Sequence, residues 1–323
     1  MRSKLEWRQA RVAAVCEVAA DVRQIDFAVE GFVPRFDPGS HVNFQTEISG
    51  APVTRTYSCV PTPHAGQIRV AVKLHEKSRG GSRFMWGLAP GDAVTMSLPE
   101  NRFELSWRAP YYLLLAGGIG ITPIYGMALT LKERGIPFRL VYGARSKALM
   151  AYADNLATEL GDAVVLRDGE KDEFIDIAGE IAALPENGEL YVCGPIPMLN
   201  AVKAAWEDAG RPLGRLRYEV FGDSGAFAEE AFEVTVANRN MTVAVRPDQS
   251  LLEALMGAGI DMIYDCQRGE CGLCAVEVIE RTGEIDHRDV FFSAEEKAQG
   301  KRMCACVSRL ASGSATIDIG YRP

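Results

Sequence analysis

Short runs of alternating apolar and polar residues fill the first third of the chain and predict β-strands. These runs occupy residues 11–15, 23–29, 41–45, 55–60, 67–74 and 93–98. Turn-forming residues separate them, as in Asp37-Pro38-Gly39 and Ala89-Pro90-Gly91-Asp92, because Gly, Pro and Asp supply the backbone angles of tight turns. Six short strands with such turns predict a small β-barrel.

After a joint at residues 108–110, apolar strands alternate with helical patterns. Strands are predicted at 111–116, 138–142, 163–167 and 189–193, and helices at 124–134, 151–160 and 198–209. This alternation is typical of a parallel α/β sheet. The uncharged segment 109–131 has the length of a membrane span, but Gly117, Gly118, Gly120 and Pro123 interrupt it. We therefore expect a buried strand, a tight turn and a helix there.

The last third begins after small, polar and acidic residues at 222–230, which predict a linker. Two strands, a helix at 251–258, a cysteine-rich loop and further strands follow. The expected fold class is multidomain, with a β-barrel domain at 1–108, an α/β parallel-sheet domain at 109–226 and an α+β domain at 231–323.

Composition narrows the possible partners and the compartment. A hydrophobic content of 47% and a charged content of 24% are ordinary for a soluble globular protein. The net charge of −8, with no Lys/Arg block, argues against nucleic-acid or membrane partners. The first eleven residues are charged and lack the apolar region of a signal peptide, so we expect the reducing cytoplasm. His41, His64, His75 and His287 show no metal-ligand spacing and are interpreted as structural or surface residues.

The most specific motif is Cys266-x4-Cys271-x2-Cys274, followed about thirty residues later by Cys304 and Cys306. This spacing is the plant-type [2Fe-2S] pattern. Gly269 and Gly272 permit the tight loop that aims backbone N–H groups at sulfur. A structural zinc site is the alternative, but such sites usually combine two Cys-x2-Cys pairs. An alternating strand at 303–308 would point Cys304 and Cys306 to one face, so the pattern leaves the fourth ligand open.

Two glycine turns follow buried strands in the α/β region. In Gly117-Gly118-Ile119-Gly120-Ile121-Thr122-Pro123 a strand passes into a helix, where helical N–H groups favour a phosphate and missing side chains let a pyrophosphate approach. The second turn is Cys193-Gly194-Pro195. Ligands bind at the carboxyl ends of strands in such sheets, so both turns are expected to line one crevice. Packing glycine is the alternative. Cys193 has no neighbouring histidine and is interpreted as a small residue at the nicotinamide edge rather than a nucleophile.

A weaker phosphate signal lies in the barrel region. Arg55-Thr56-Tyr57-Ser58 ends a strand, and Arg79-Gly80-Gly81-Ser82 precedes an aromatic segment that can open a helix. Together they offer a guanidinium fork, hydroxyls, glycine N–H groups and a tyrosine ring for a flat heterocycle. Arg55 as a surface strand residue and Ser82 as a helix cap remain the alternatives.

In this order, the Arg55–Ser58 segment, the Gly117–Pro123 turn, Cys193-Gly194-Pro195 and the cysteine loop resemble the phthalate dioxygenase reductase family over essentially the whole chain. The resemblance implies an FMN barrel, an NAD-binding domain and a plant-type ferredoxin domain. It also implies Cys306 as the fourth iron ligand, from the context Cys306-Val307-Ser308-Arg309, with Cys304 as a departure from the family pattern.

The resemblance further implies the cofactor-binding residues. The flavin candidates are Arg55, Thr56, Tyr57, Ser58, Val72, Lys73, Gly80, Gly81, Ser82 and, from the Glu-x-Phe motif, Phe221. The nicotinamide candidates are Gly117, Gly118, Gly120, Thr122, Pro123, Arg145, Cys193, Gly194, Pro195 and Met198. The metal ligands would be Cys266, Cys271, Cys274 and Cys306.

The implied activity is an NADH-dependent oxidoreductase that passes electrons singly through FMN and [2Fe-2S] to a Rieske-type oxygenase component for aromatic breakdown, acting as a monomer. Hydride transfer needs no protein acid or base, because the cofactors carry the chemistry. Arg145 and Lys147 are followed by apolar residues at 148–152, and so few cations favour NADH over NADPH. One alternative is an FAD enzyme serving a different acceptor. Another is a non-catalytic redox sensor with zinc in the loop.

Overall fold

A computed structural model describes residues 6–31, 35–48, 51–64, 66–75, 80–221 and 227–320. The chain divides into two compact units, Met1–Glu219 and Val220–Pro323. The first unit contains both a β-barrel and a parallel sheet, so the expected boundary after residue 108 falls inside it. Of the predicted linker at 222–230, residues 222–226 lie outside the described residues.

Six strands close the barrel because β3 pairs with both β4 and β6. The order around the barrel is β3-β4-β5-β2-β1-β6 and back to β3, with all neighbours antiparallel. Phe27, Phe44 and Met96 fill its core. The predicted barrel is thereby confirmed. Its elements are β1 Trp7–Ala19, β2 Val22–Val29, β3 Ser40–Ile48, β4 Ala51–Val60, β5 Gln67–Lys73, α1 Gly81–Gly87, β6 Ala93–Ser97 and a short added strand, β7 Glu100–Asn101.

The parallel sheet has the order β10-β9-β8-β11-β12. Its central strands β8 and β11 are buried along their whole length. The burial of β8 and of most of α2 explains the uncharged segment 109–131. Among the described residues no helix is long and apolar enough to cross a membrane. The elements are β8 Tyr112–Gly117, α2 Ile121–Glu133, β9 Phe138–Ala144, α3 Ala153–Leu160, β10 Val164–Asp168, α4 Ile177–Ala183, β11 Glu189–Cys193, α5 Ile196–Asp208 and β12 Leu216–Glu219.

This sheet places its two glycine turns side by side. The chain moves outward from β8 through β9 to β10 and then returns to the other side of β8 with β11. The carboxyl ends of β8 and β11 therefore diverge into a crevice, the usual ligand position in an open α/β sheet. Helix α4 and strand β12 were not predicted from the sequence.

The second unit is built on a mixed sheet of order β14-β13-β19-β15-β17, with a separate pair β16-β18. Val234, Leu251, Val276 and Ile317 are among the residues of its core. The elements are β13 Phe232–Val236, β14 Met241–Val245, α6 Leu251–Gly257, β15 Ala275–Arg281, β16 Ile285–Asp286, α7 Ala294–Gln299, β17 Arg302–Cys304, β18 Arg309–Leu310 and β19 Ser314–Asp318.

The expected alternating strand at 303–308 is wrong. Strand β17 ends at Cys304, and residues 305–307 form a turn. The N–H groups of Val307 and Ser308 both donate to the Cys304 carbonyl oxygen, at 3.3 and 2.9 Å. Cys304 and Cys306 therefore occupy different environments, one on the strand and the other in the turn.

Candidate functional site

The predicted flavin segment forms a cradle between strand β4 and helix α1. A Cβ atom added to Gly81 would lie 2.9 Å from both Cγ and Cδ of Arg55, so the arginine stem runs directly over this glycine. Gly80 has φ of 95°, a conformation that favours glycine. Ser82 is buried and accepts a hydrogen bond from the His75 N–H at 3.3 Å. A guanidinium beside side-chain-free backbone fits the phosphate of a flavin nucleotide.

The other predicted flavin residues lie on the same barrel strands. Thr56 donates to Asn43 at 2.7 Å, and the Tyr57 ring packs edge-on against Phe44 at 5.8 Å. On β5, Val72 is buried and its carbonyl accepts from the Trp86 indole at 2.8 Å. Lys73 forms an ion pair with Asp21 at 3.0 Å. Phe221 is partly buried and belongs to the second unit.

Ser58 connects the flavin segment to the carboxyl edge of the parallel sheet. Its hydroxyl donates to Glu219 Oε2 at 3.4 Å, and Glu219 is 1% exposed at the end of β12. Burial, with Glu219 nearby, raises the pKa of the adjacent Cys59 thiol. A buried carboxylate and a hydroxyl therefore meet beside the flavin segment. The sequence reasoning had not assigned a role to Glu219.

The two glycine turns touch each other in the crevice between β8 and β11. A Cβ on Gly117 would lie 2.7 Å from the Met198 sulfur and 2.8 Å from Pro195 Cδ. A Cβ on Gly120 would lie only 2.1 Å from the Cys193 carbonyl oxygen. Cys193 itself is fully buried. The expectation that both turns line one crevice is supported, and the backbone approach suits a dinucleotide.

The remaining nicotinamide candidates flank this crevice. Thr122 is buried and donates to the Ile119 carbonyl at 3.0 Å, and Pro123 lies buried in the first turn of α2. Gly118 has φ of 53°. Arg145 is exposed just beyond the carboxyl end of β9. The charged residues at the end of β10, the next strand along this sheet edge, were not predicted.

Arg167 is a second cation at this edge, because the register of β9 and β10 pairs it with Gly143. Four carboxylates follow it, Asp168, Glu170, Asp172 and Glu173, with Lys171 among them. Asp168 is buried and accepts from the Glu170 N–H at 3.2 Å, while Glu173 accepts from the Asp168 N–H at 3.4 Å. No local pattern in the sequence indicates this group, because the pairing of parallel strands β9 and β10 is what brings it beside Arg145.

The cysteine loop supplies backbone donors to sulfur. Cys266 Sγ accepts from the N–H groups of Arg268 and Glu270, each at 3.4 Å. A hydrogen bond from the Cys271 thiol and these N–H groups lower the pKa of Cys266 to about 5. Cys306 Sγ accepts from the Gly269 N–H. Donors of this kind stabilise thiolates, and the predicted role of the loop glycines fits this arrangement.

The cysteines are grouped in a way that fits a two-iron cluster. Cys266 contacts Cys271, and Cys274 accepts hydrogen bonds from both Cys304 and Cys306, which lower its pKa to about 4. In the described part of the chain, no three His, Cys, Asp or Glu side chains are placed to share one metal ion. A [2Fe-2S] cluster does not require three, since its four cysteines are divided between two irons.

Cys304 differs from the other cysteines of this group. It is completely buried in the core at the end of β17, and its cross-strand neighbour is Ala275. Its interactions are with the side chains of Cys274, Cys306 and Asp289. Cys306, in contrast, also interacts with Cys266 and receives the loop N–H of Gly269. The geometry favours Cys306 as the residue that faces the loop.

Asp289 stabilises the cysteine loop from its buried side. It is fully buried, accepts from the Phe292 N–H at 3.0 Å and from Ser308 Oγ at 2.9 Å, and lies 3.2 Å from His287 Nδ1. Burial raises the pKa of Asp289, but His287, Phe292, Lys297 and Ser308 outweigh burial and hold that pKa below its ordinary value. The ionised carboxylate therefore ties the loop to the segment that carries Cys306.

Comparison with known proteins agrees with these features. Residues 9–105 match the family described as oxidoreductase FAD-binding domain, and residues 234–311 match the 2Fe-2S iron-sulfur cluster binding domain. A tetrachlorobenzoquinone reductase from Sphingobium chlorophenolicum is 37% identical over 320 residues, covering 95% of this chain and 97% of the relative. The solved structure of phthalate dioxygenase reductase superposes with a TM-score of 0.81 at 29% identity, covering 97% and 98% of the two chains. The chain belongs to the phthalate dioxygenase reductase family.

Membership of the phthalate dioxygenase reductase family confirms the fold class and the enzyme class expected from the sequence. A vanillate O-demethylase oxidoreductase from Acinetobacter baylyi is 33% identical over 295 residues, covering 89% of this chain and 90% of the relative. The protein is an electron-transfer oxidoreductase that uses a nicotinamide nucleotide, a flavin and a [2Fe-2S] cluster.

Proposed function

We propose that this reductase takes a hydride from NADH and supplies single electrons to a Rieske-type oxygenase or O-demethylase component in the cytoplasm, with FMN in the barrel. The observation that carries the proposal is the hydrogen bond from Ser58 to Glu219. It joins the flavin segment of β4 to the carboxyl edge of the parallel sheet. The nicotinamide crevice opens at that same edge, because only β11 separates β12 from β8 in the sheet.

When bound, the flavin accepts an electron pair from the nicotinamide and releases the electrons one at a time. The protein residues position the flavin and the dinucleotide and stabilise their bound forms. Arg55, lying along Gly81, would hold the flavin phosphate. The glycines of the crevice exclude side chains from the path of the dinucleotide. Ser58 and Glu219 can hold a proton beside the flavin segment, at the Ser58 hydroxyl and the Glu219 carboxylate.

In the ferredoxin unit, we assign the cluster to Cys266, Cys271, Cys274 and Cys306. The N–H groups that reach Cys266 and Cys306 support this assignment, because they offset negative charge on ligand sulfur. Phe221 is proposed to pack at the flavin from the family motif alone.

The preference for NADH over NADPH is supported by the carboxylates at the end of β10. Asp168, Glu170, Asp172 and Glu173 lie within six residues after Arg167, with one cation, Lys171, among them, and the 2′-phosphate of NADPH carries about two negative charges. Close to Arg145 and Arg167, the negative charge of these acids disfavours the 2′-phosphate of NADPH. The same charge tolerates the ribose hydroxyl that NADH has in its place. Steady-state reduction of ferricyanide tests this, and a higher kcat/KM with NADPH would contradict it.

The acceptor is proposed from the relatives. Those named for vanillate O-demethylation and phenoxybenzoate dioxygenation are parts of oxygenase systems by name. The alternative is an FAD enzyme with a different acceptor, and one observation favours it: the Sphingobium relative is named for a quinone.

The decisive experiment identifies the released flavin by mass, together with iron and acid-labile sulfide. We expect one FMN, two irons and two sulfides per monomer, and reduction of a purified Rieske oxygenase component by NADH only when the reductase is present. Bound FAD with rapid quinone reduction would support the alternative. Stoichiometric zinc without sulfide would refute the electron-transfer assignment of the loop.

A further inference from the structure

The loop that carries the first three cysteines of the cluster motif has an apolar outer surface. Leu273 is 42% exposed and Phe291 is 37% exposed. A Cβ atom on Gly272 would lie 2.2 Å from Phe291 Cζ, so the ring rests directly on the loop backbone beside Leu273. Phe291 also packs against the buried Phe292, with ring centroids 4.9 Å apart and planes at 73°. We call Leu273 and Phe291 the loop patch.

The unit that bears the loop patch is strongly acidic. Residues 220–323 contain 17 Asp and Glu against 10 Lys and Arg, which is a net charge of −7 out of −8 for the whole chain. Such an asymmetry steers an oppositely charged protein toward one part of the molecule.

The segments that lead into and out of the loop patch expose acids. Asp261, Asp265 and Glu295 are exposed. The cations in these segments form ion pairs: Arg268 is buried and lies 3.2 Å from Glu270, and Lys297 lies 3.7 Å from Asp289. The apolar surface is therefore flanked by negative charge.

We propose that the loop patch is the docking site for the electron acceptor, a protein that presents an apolar area surrounded by lysine and arginine. The inference rests on the proposed function of the ferredoxin unit. Exposed apolar side chains with a polar rim are typical of interaction sites, and complementary charge increases the association rate. Leu273 lies between the proposed ligands Cys271 and Cys274, so an acceptor bound there contacts the loop that holds the cluster.

Leu273→Ser tests the proposal, with Met241→Ser as the matched control. Met241 is an equally exposed apolar residue (40%) on β14, the edge strand opposite to β17 in the same sheet. The holoprotein is reduced with NADH, and mitochondrial cytochrome c serves as the basic acceptor probe. Ferricyanide reduction and bleaching of the cluster report on the steps before docking.

We expect Leu273→Ser to lower kcat/KM for cytochrome c by about tenfold, the effect of truncating a central interface residue, with ferricyanide reduction and cluster bleaching unchanged. Met241→Ser should match the wild type. Rising ionic strength should lower kcat/KM for cytochrome c, because salt screens the steering charges.

Equal kcat/KM in Leu273→Ser and the wild type would overturn the proposal, as would an equal loss in Met241→Ser. If Leu273→Ser instead converts a dimer to a monomer without affecting cytochrome c, the loop patch serves self-association and the proposal fails. A protein whose cluster NADH does not bleach would refute the proposed function itself, an outcome visible before any variant is made.

Discussion

A single methyl group at Gly120 is expected to disable the nicotinamide crevice. The Cβ of Gly120→Ala would lie 2.1 Å from the Cys193 carbonyl oxygen and 2.8 Å from the Gly194 nitrogen. Favourable contacts between heavy atoms lie at about 3.5 Å or more. Both neighbours are backbone atoms of the adjacent turn, so the clash cannot be relieved by a rotamer change. The ends of β8 and β11 must separate by roughly 1 Å.

Two magnitudes follow from that displacement. Overpacking of this kind costs about 1–3 kcal/mol of folding free energy, which in a unit of this size corresponds to a melting temperature lower by about 2–4 °C per kcal/mol. A misplacement of about 1 Å in a positioned reactant costs on the order of 10²-fold in rate. We therefore expect a modest loss of stability and a large loss of kcat/KM for NADH.

The assay is NADH-dependent ferricyanide reduction, measured beside flavin content, iron content and thermal unfolding. Gly126→Ala is the matched control, since its Cβ would meet Pro38 Cβ at an ordinary 3.4 Å within α2 and alanine favours a helix by about 0.5–1 kcal/mol. Unchanged kcat/KM in Gly120→Ala, with the variant folded and loaded with flavin, would refute the assignment of this crevice to the nucleotide.

Three further predictions concern the flavin, the cluster and its support. Arg55→Ala should weaken flavin retention by about 1.5–3 kcal/mol, the range for hydrogen bonds to charged groups, and unchanged flavin affinity by equilibrium dialysis would reject the phosphate contact. Cys306→Ser should lose iron and sulfide while Cys304→Ala keeps them, because Cys304 lies in the core at the end of β17. Iron loss in Cys304→Ala alone would reverse the ligand assignment. Asp289→Asn should destabilise the ferredoxin unit by about 1.5–3 kcal/mol at pH 7. This cost should become smaller as the pH falls from about 4 through the lowered pKa of Asp289, since the stabilisation from the ionised carboxylate disappears there. Thermal unfolding followed by cluster absorbance checks this, and a cost that grows toward acid pH would contradict it.

Elements fixed by local signals were predictable from the sequence. The six barrel strands have turn residues at their ends and alternate in polarity, and each was placed within a few residues. Strand β12 has only four residues and owes its strand geometry to pairing with β11. Helix α4 buries a single apolar residue, Ile181, so it has almost no hydrophobic periodicity. Both were therefore missed.

Two local signals were available but were misread. Ser293 and Glu296 form a capping box at the start of α7, a pattern that sequence inspection can find, yet the only helix predicted in this third of the chain is the one at 251–258. At Cys304–Cys306 a two-residue period was assumed, whereas the carbonyl of Cys304 accepts two N–H groups and forms a turn. Periodicity fails where such hydrogen bonds replace the strand ladder.

The contact between Ser58 and Glu219 at the flavin segment illustrates what sequence reasoning cannot reach. Each glycine turn and the Cys266-x4-Cys271-x2-Cys274 spacing are visible in the sequence because each lies within one contiguous segment. Ser58 and Glu219 are separated by 161 positions, and neither neighbourhood indicates the other. Only the barrel resting on the carboxyl edge of the parallel sheet, within one compact unit, brings them to 3.4 Å. The segments proposed to hold cofactors are thus local in this chain, whereas the contact between the flavin segment and the parallel sheet depends on the assembled fold.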